Sequence, residues 1–170
     1  MNNSDQKTQA FIQLLERHKK LIAKIASSYF SDATHRSDLM QEIALQLWKG
    51  FLKLKTPPQS STWVYKVALN VSISYYRKEA NRKKTLSNYK EHLQIFGLVA
   101  EQLPDKLQAL YQLIAHLNPI EKAIIILHLE GCKNAEIAEV MGFSLTNVST
   151  KINRIKEKLI KHSRTDSREN

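Results

Sequence analysis

The chain has little of the material from which β-rich or cross-linked folds are made. Its 170 residues include four glycines, four prolines and one cysteine. Sandwiches and barrels need many tight turns, so this scarcity argues against them and for long helices. A lone cysteine, Cys132, excludes an internal disulfide. No apolar run approaches the roughly 18 residues of a membrane span. The polar opening MNNSDQKTQ lacks the apolar stretch of a signal peptide. Carboxylates clustered to hold a catalytic metal are missing as well, since Asp38/Glu42 and Glu136/Glu139 suit helix surfaces. These absences predict an all-α, cytoplasmic protein that is not an enzyme, with no cofactor, metal, small-molecule substrate or membrane insertion.

Positive charge is plentiful. The net charge is +10, distributed as +9 over residues 1–84, −1 over 85–103 and +2 over 104–170. Within the last block, Lys151 to Arg164 holds six basic residues and one acidic. Two basic zones thus flank a non-basic middle, a pattern suited to a polyanion such as nucleic acid.

Phe11, Ile12, Leu15, Leu21, Ile22, Ile25 and Ala26 recur at helical spacing, which predicts a helix from Gln9 to Phe30. A second should run from Ser37 to Phe51, with Asp38 and Glu42 early in it, where the helix dipole favours acids. Pro57-Pro58 must break it, and Ser60 or Ser61 caps a third helix reaching Lys84. Residues 85–103 keep no sustained period, apart from a short helix over Tyr89–Val99, and read as a linker. Asn118-Pro-Ile-Glu121 then combines a capping Asn, a first-turn proline and a Glu three residues after the cap. It opens a helix from Ile120 to Glu130, closed by Gly131. Helices over Ala135–Met141 and Leu145–Lys161 follow.

The segment Asn134 to Asn153 fits a helix-turn-helix. Ala138 is small where two helices would cross, and Gly142 stands four residues later, where a positive φ costs glycine little. Ile137, Met141, Phe143, Val148 and Ile152 supply the apolar contacts, and Ser144 caps the second helix. Its outward face is Thr146, Asn147, Ser149, Thr150, Lys151 and Arg154, polar first and basic later. Such a helix can enter the major groove with its N-terminal residues at base edges and its basic end at phosphates. An ordinary helical hairpin with a solvated face is the bland alternative, made less apt by the basic run that follows.

Two further segments complete a family pattern. Asp38-Leu-Met-Gln-Glu-Ile-Ala-Leu-Gln-Leu-Trp48 resembles a D-L-x-Q-E-x-x-x-x-x-W signature. Ser61-Thr-Trp-Val-Tyr-Lys-Val-Ala-Leu-Asn70, with Tyr75-Tyr-Arg-Lys78 and Asn81-Arg-Lys-Lys84, is similar to a T-W-x-Y-x-x-A-x-N helix with a basic tail. With Leu117–Gly131 leading into the helix-turn-helix, the chain resembles the extracytoplasmic-function group of sigma-70 family factors from about Phe11 to Leu159. That resemblance implies two small helical domains joined by a flexible linker: region two over 9–84, linker 85–103, and a four-helix region four over 104–163. It implies a factor that binds core RNA polymerase through the segment of Asp38, Leu39, Gln41 and Glu42, with Asp38, Gln41 and Glu42 as the polar contacts and Leu39, Leu45 and Trp48 mostly serving packing. It implies that region two opens the minus-ten element of promoter DNA. The candidates there are Trp63, Lys66, Asn70, Arg77 and Arg82, with the loop Lys55 to Ser61, although aromatics at helical spacing such as Trp63 and Tyr65 more often belong to a core. The outward face of the recognition helix would read the minus-thirty-five element. A separate anti-sigma protein is a further partner the resemblance allows.

The chain departs from the family pattern at Pro57-Pro58, at Asn118 in place of a proline, and at Cys132. His128 and Cys132 lie four apart, but two ligands do not make a zinc site. A duplex-DNA regulator, usually dimeric, is the nearest competing reading, yet such regulators seldom carry a second basic, aromatic-interleaved helix like that at Trp63–Lys84. A DNA-acting enzyme is the remoter one.

Overall fold

A computed structural model describes residues 3–58, 60–85 and 105–166. Seven helices and no strand occur among the described residues: α1 (Asn3–Tyr29), α2 (Ala33–Lys53), α3 (Thr62–Thr85), α4 (Asp105–Ala115), α5 (Pro119–Leu129), α6 (Asn134–Met141) and α7 (Leu145–Asp166). They fall into two compact units, divided between Lys90 and Glu91. The expected Tyr89–Val99 helix and nearly all of the expected linker lie outside the described residues.

In the first unit α1, α2 and α3 pack on one another. Helix α2 buries Leu39, Ile43, Leu47 and Phe51, a four-residue repeat that lays one apolar stripe against its neighbours. Each such burial is worth about 1.5–3 kcal/mol. Phe11 of α1 meets Trp48 and Phe51, with ring centroids 4.9 and 5.4 Å apart. Phe30 packs edge-on against Tyr75 of α3 at 5.6 Å. The buried hydroxyl of Ser72 is satisfied within its own helix by the Ala68 carbonyl at 2.7 Å.

Several expected boundaries shift. Helix α1 begins six residues before Gln9, and Ile12 is 52% exposed while Leu14 takes its place in the core. Helix α2 starts at Ala33, so Asp38 is beyond its first turn. Asp32 caps it, accepting from the His35 amide at 2.8 Å. The Ser61 carbonyl accepts the first bond of α3, from the Tyr65 amide at 2.9 Å. The Ser61 hydroxyl meets His18 Nε2 at 3.1 Å. His18 Nδ1 donates to the Leu14 carbonyl at 2.9 Å, which fixes the ring between the two helices. This ties the start of α3 to the middle of α1.

In the second unit α7 packs on α4, α5 and α6. The capping box at Asn118 is complete: its Oδ1 accepts from the Glu121 amide at 2.9 Å, Glu121 Oε2 accepts from the Asn118 amide at 3.3 Å, and Pro119 opens the helix. Gly131 follows α5 at φ 82°. Helix α7 runs five residues past the expected end. Glu121 pairs with Lys158, joining α5 to α7.

Candidate nucleic-acid interface

Helices α6 and α7 form the expected hairpin. Gly142 adopts the left-handed conformation, φ 70° and ψ 31°, and the Ala138 carbonyl accepts from the Gly142 and Phe143 amides. Ser144 Oγ accepts from the Asn147 amide at 3.2 Å and caps α7. Ile137, Val148 and Ile152 are buried between the helices. Their fixed crossing leaves Thr146, Asn147, Thr150 and Arg154 exposed on one stripe of α7.

Two of the anticipated residues are placed differently. Ser149 Oγ donates to the Leu145 carbonyl at 3.1 Å and accepts from the Asn134 side chain at 3.1 Å. It therefore faces α6 and braces the hairpin, because its helical angle points away from the exposed stripe. Lys151 is half-buried, its ammonium 5.4 Å from the centre of the Phe143 ring, a cation–π contact that fixes its stem. Thr150 returns its hydroxyl proton to the Thr146 carbonyl at 3.0 Å, which leaves its lone pairs outward.

In the first unit the spacing 66, 70, 77 places Lys66, Asn70 and Arg77 on one exposed stripe of α3. Arg82 is rotated off that stripe, its Nε 3.3 Å from Glu79 Oε2. The same oxygen, buried and without a well-formed hydrogen bond, lies 3.4 Å from His35 Nε2. His35 Nδ1 meets Asp32 Oδ2 at 2.7 Å, and its ring stacks on Phe30 at 5.2 Å. Burial alone would raise the Asp32 carboxyl, but the hydrogen bonds from His35 outweigh it and hold the pKa below the ordinary value. Burial, with Asp38 and Glu79 nearby, pushes the Tyr75 phenol up. Trp63 is half-buried. A Cβ on Gly50 would come within 2.9 Å of its indole, so the ring lies flush against α2. Packing already occupies this tryptophan, and the core alternative fits it better than base stacking.

Helix α2 sorts its polar residues onto two edges. Asp38 and Gln41 stand exposed on the outer one. Leu39 has no accessible surface and cannot touch a partner; it belongs to the α2 core stripe. Leu45, expected to serve packing, is 45% exposed on the outer edge, as is Leu52. Glu42 lies on the inner edge, where its carboxylate accepts from Gln46 at 2.8 Å. That edge and α3 border a groove of about 730 Å³ lined by Glu42, Gln46, Lys49, Gly50, Lys53, Asn70, Ser74, Tyr75 and Lys78, among others. Sequence reasoning missed Leu52 and the groove lysines. The i, i+7 repeat of Leu45 and Leu52 outside the apolar stripe was the available signal.

Family models for "Sigma-70 region 2" and "Sigma-70, region 4" match residues 14–82 and 107–159. The chain belongs to the sigma-70 family. Its relatives include the RNA polymerase sigma factor YlaC of Bacillus subtilis, 24% identical across 90% of this chain and 97% of that one. The extracytoplasmic-function (ECF) RNA polymerase sigma-E factor of Haemophilus influenzae is 22% identical across 87% and 84%. The fold resembles that of the Bartonella quintana sigma factor RpoE, solved with the anti-sigma factor NepR. Its TM-score is 0.68 at 17% identity, over 92% of this chain and 98% of that one. This sigma factor thus belongs to the extracytoplasmic-function group, and its function is promoter-specific initiation of transcription. Among the described residues no three metal-ligating side chains cluster, and no helix is long and apolar enough to cross a membrane.

Proposed function

We propose that the sigma factor divides promoter recognition between its two units. The first, residues 9–84, holds core polymerase with the outer edge of α2 and opens the minus-ten element with α3. The second, residues 104–163, lays α7 in the major groove of the minus-thirty-five element. Residues 85–103 link them. Asp38, Gln41, Leu45 and Leu52 contact the polymerase: acid and amide groups fit a basic surface, and two exposed leucines add apolar area at its centre. Lys66, Asn70 and Arg77 hold the minus-ten strand, with Arg82 positioned by Glu79. Thr146, Asn147 and Thr150 face base edges, and Arg154 a phosphate. The observation that carries this reading is the outer edge of α2, two leucines and two polar groups left in solvent beside a cationic helix.

The protein acts in the cytoplasm as a non-catalytic subunit of the transcribing enzyme. An anti-sigma protein, such as NepR is to RpoE, would silence it by covering the same α2 edge. Run-off transcription tests the reading. Core polymerase plus this chain should yield specific transcripts from genomic promoters, whereas the chain alone should bind duplex promoter DNA weakly. Tight dimeric binding to duplex DNA without core would show a conventional regulator instead.

A further inference from the structure

We propose that His35 is a proton-operated positioning residue: its imidazolium draws Glu79 off Arg82 and frees that guanidinium for a phosphate of the minus-ten strand. This rests on the reading of Arg82 as a minus-ten contact, and it adds to that reading a dependence on pH.

One buried oxygen is shared between two cations. Glu79 Oε2 lies 3.4 Å from His35 Nε2 and 3.3 Å from Arg82 Nε, and it forms a hydrogen bond with neither. A buried carboxylate oxygen without a donor is costly, and native proteins leave few of them. The opposite side of the imidazole accounts for this one. His35 Nδ1 meets Asp32 Oδ2 at 2.7 Å. Burial acts to raise the Asp32 carboxyl, but the hydrogen bonds from His35 lower it by more, so Asp32 stays ionised at neutral pH and can only accept. The ring therefore keeps a proton on Nδ1. In the neutral ring that is the one proton, and Nε2 turns a lone pair towards Glu79, acceptor against acceptor. In the imidazolium Nε2 is protonated too and becomes the donor that Oε2 lacks.

The surroundings favour that second proton. Phe30, at the end of α1, stacks on the ring at 5.2 Å and carries no charge. The turn supplies Asp32, α2 adds Arg36 and Asp38, and α3 adds Tyr75, Glu79 and Arg82. Burial pushes the Tyr75 phenol up, Asp38 and Glu79 push it further, and Arg82 and Asp32 act on it as well, so these groups converge on one space. Three carboxylates there face two guanidiniums, and a charged His35 balances them. Arg82 is the cation that yields. Its side chain is 63% exposed, against 25% for His35 and 12% for Glu79, so water screens its pair with Glu79 and replaces it at little cost. With Oε2 held by the imidazolium, Arg82 leaves the flank of α3 for the stripe of Lys66, Asn70 and Arg77.

The test uses holoenzyme and a fork template, single-stranded across the minus-ten segment, from a promoter found by run-off transcription. Binding is measured across a salt series at about pH 6 and about pH 8, on either side of the usual histidine titration. The proteins are wild type, His35→Phe, Glu79→Gln and Arg82→Gln. Wild type should bind the fork about two- to fivefold more tightly at the lower pH, the range of one exposed ion pair. Its slope of log K against log salt should steepen by up to about 0.7, one phosphate contact on a single strand. His35→Phe keeps a ring on Phe30 but cannot titrate, and should bind at the weaker level at both pH values. Glu79→Gln releases Arg82 outright and should bind at the tighter level at both. A pH response that persists in either variant overturns the proposal. Arg82→Gln should bind weakly throughout. If it matches wild type at both pH values, Arg82 is not a DNA contact and the proposal falls with that reading. If it binds weakly while wild type shows no pH response, the role of His35 alone is overturned and the reading of Arg82 stands. Nitrogen NMR of the free chain gives a readout independent of DNA. The imidazole signals missing from His35→Phe should show a proton on Nδ1 alone at the higher pH and on both nitrogens at the lower. A proton on Nε2 alone at the higher pH would give Glu79 its donor without any switch, and also overturns the proposal.

Discussion

The two units hold their candidate nucleic-acid helices in opposite ways. Helix α7 is set by neighbours close in sequence: Ser144 caps it, Gly142 turns the chain into it, and Asn134 reaches Ser149 fifteen residues on. Helix α3 is set by residues some forty positions away, His18 at its start and His35 near its end. The first helix presents a stripe that local rules prescribe. The second shares its surface with α2, and its role depends on which α2 residues stand beside it.

The sharpest test of that contrast falls on α2. Leu39→Ala should cost about 3 kcal/mol, the usual range for emptying a buried leucine site. Thermal unfolding should show the first unit melting earlier, with core binding and minus-ten opening lost together. Leu45→Ala should leave the melting temperature in place and weaken core binding alone. A Leu39 variant that melts normally would return that residue to the interface.

Lys122 separates the units energetically. It is 2% exposed in the core of the second unit, and burial lowers its pKa to about 8. The buried polar groups of the first unit are instead His18, Ser28 and Ser72, with no lysine among them. Between pH 8 and about 10.5 the unfolded chain binds a proton at Lys122 that the folded chain has released, so this group makes stability rise with pH across that window. At pH 7 both states hold the proton and the folded state bears the cost of a buried charge. Lys122→Met should then stabilise the second unit by on the order of 2 kcal/mol at pH 7 and lose the advantage near pH 10. Equal gains at both pH values would refute burial as the cause.

Arg154→Gln should remove one phosphate interaction, lowering the salt slope of upstream-element binding by about 0.9 and affinity about tenfold. Ser149→Ala should lower stability by about 1 kcal/mol through the missing Asn134 bond. It should leave sequence preference intact, whereas Asn147→Ala should relax it. A changed preference in Ser149→Ala would put that residue back on the DNA face.

The same contrast explains what could be read without coordinates. Asn118, Glu121, Gly131, Gly142 and Ser144 act through caps and turns a few residues long, so their roles follow from local stereochemistry. The all-α layers follow from apolar spacing. Leu39 keeps the packing role expected of it and loses any contact role, while Leu45 leaves the packing expected of it, because both sit in an apolar-rich helix whose buried stripe is decided by two other helices. His35–Glu79, His18–Ser61 and the lysine groove join positions far apart in the chain, and no periodicity encodes such pairs.

Glycine provides the smallest and most direct comparison. Gly142 is in the left-handed region with nothing within 4 Å of where an added Cβ would sit, so only the backbone resists substitution there. Gly142→Ala should cost about 1 kcal/mol, with α7 still folded and upstream binding weakened through a shifted turn. Gly50 is the reverse case: its backbone is helical, and an added Cβ would meet the Trp63 indole at 2.9 Å. Alanine gains up to about 1 kcal/mol of helix propensity, which the displaced ring offsets, so Gly50→Ala should be close to neutral in stability. Its signature is a shift in Trp63 fluorescence, read in a Trp48→Phe background. An unshifted emission with a full gain in stability would mean that the indole does not lie on α2, and Trp63 would again be available to stack on a base.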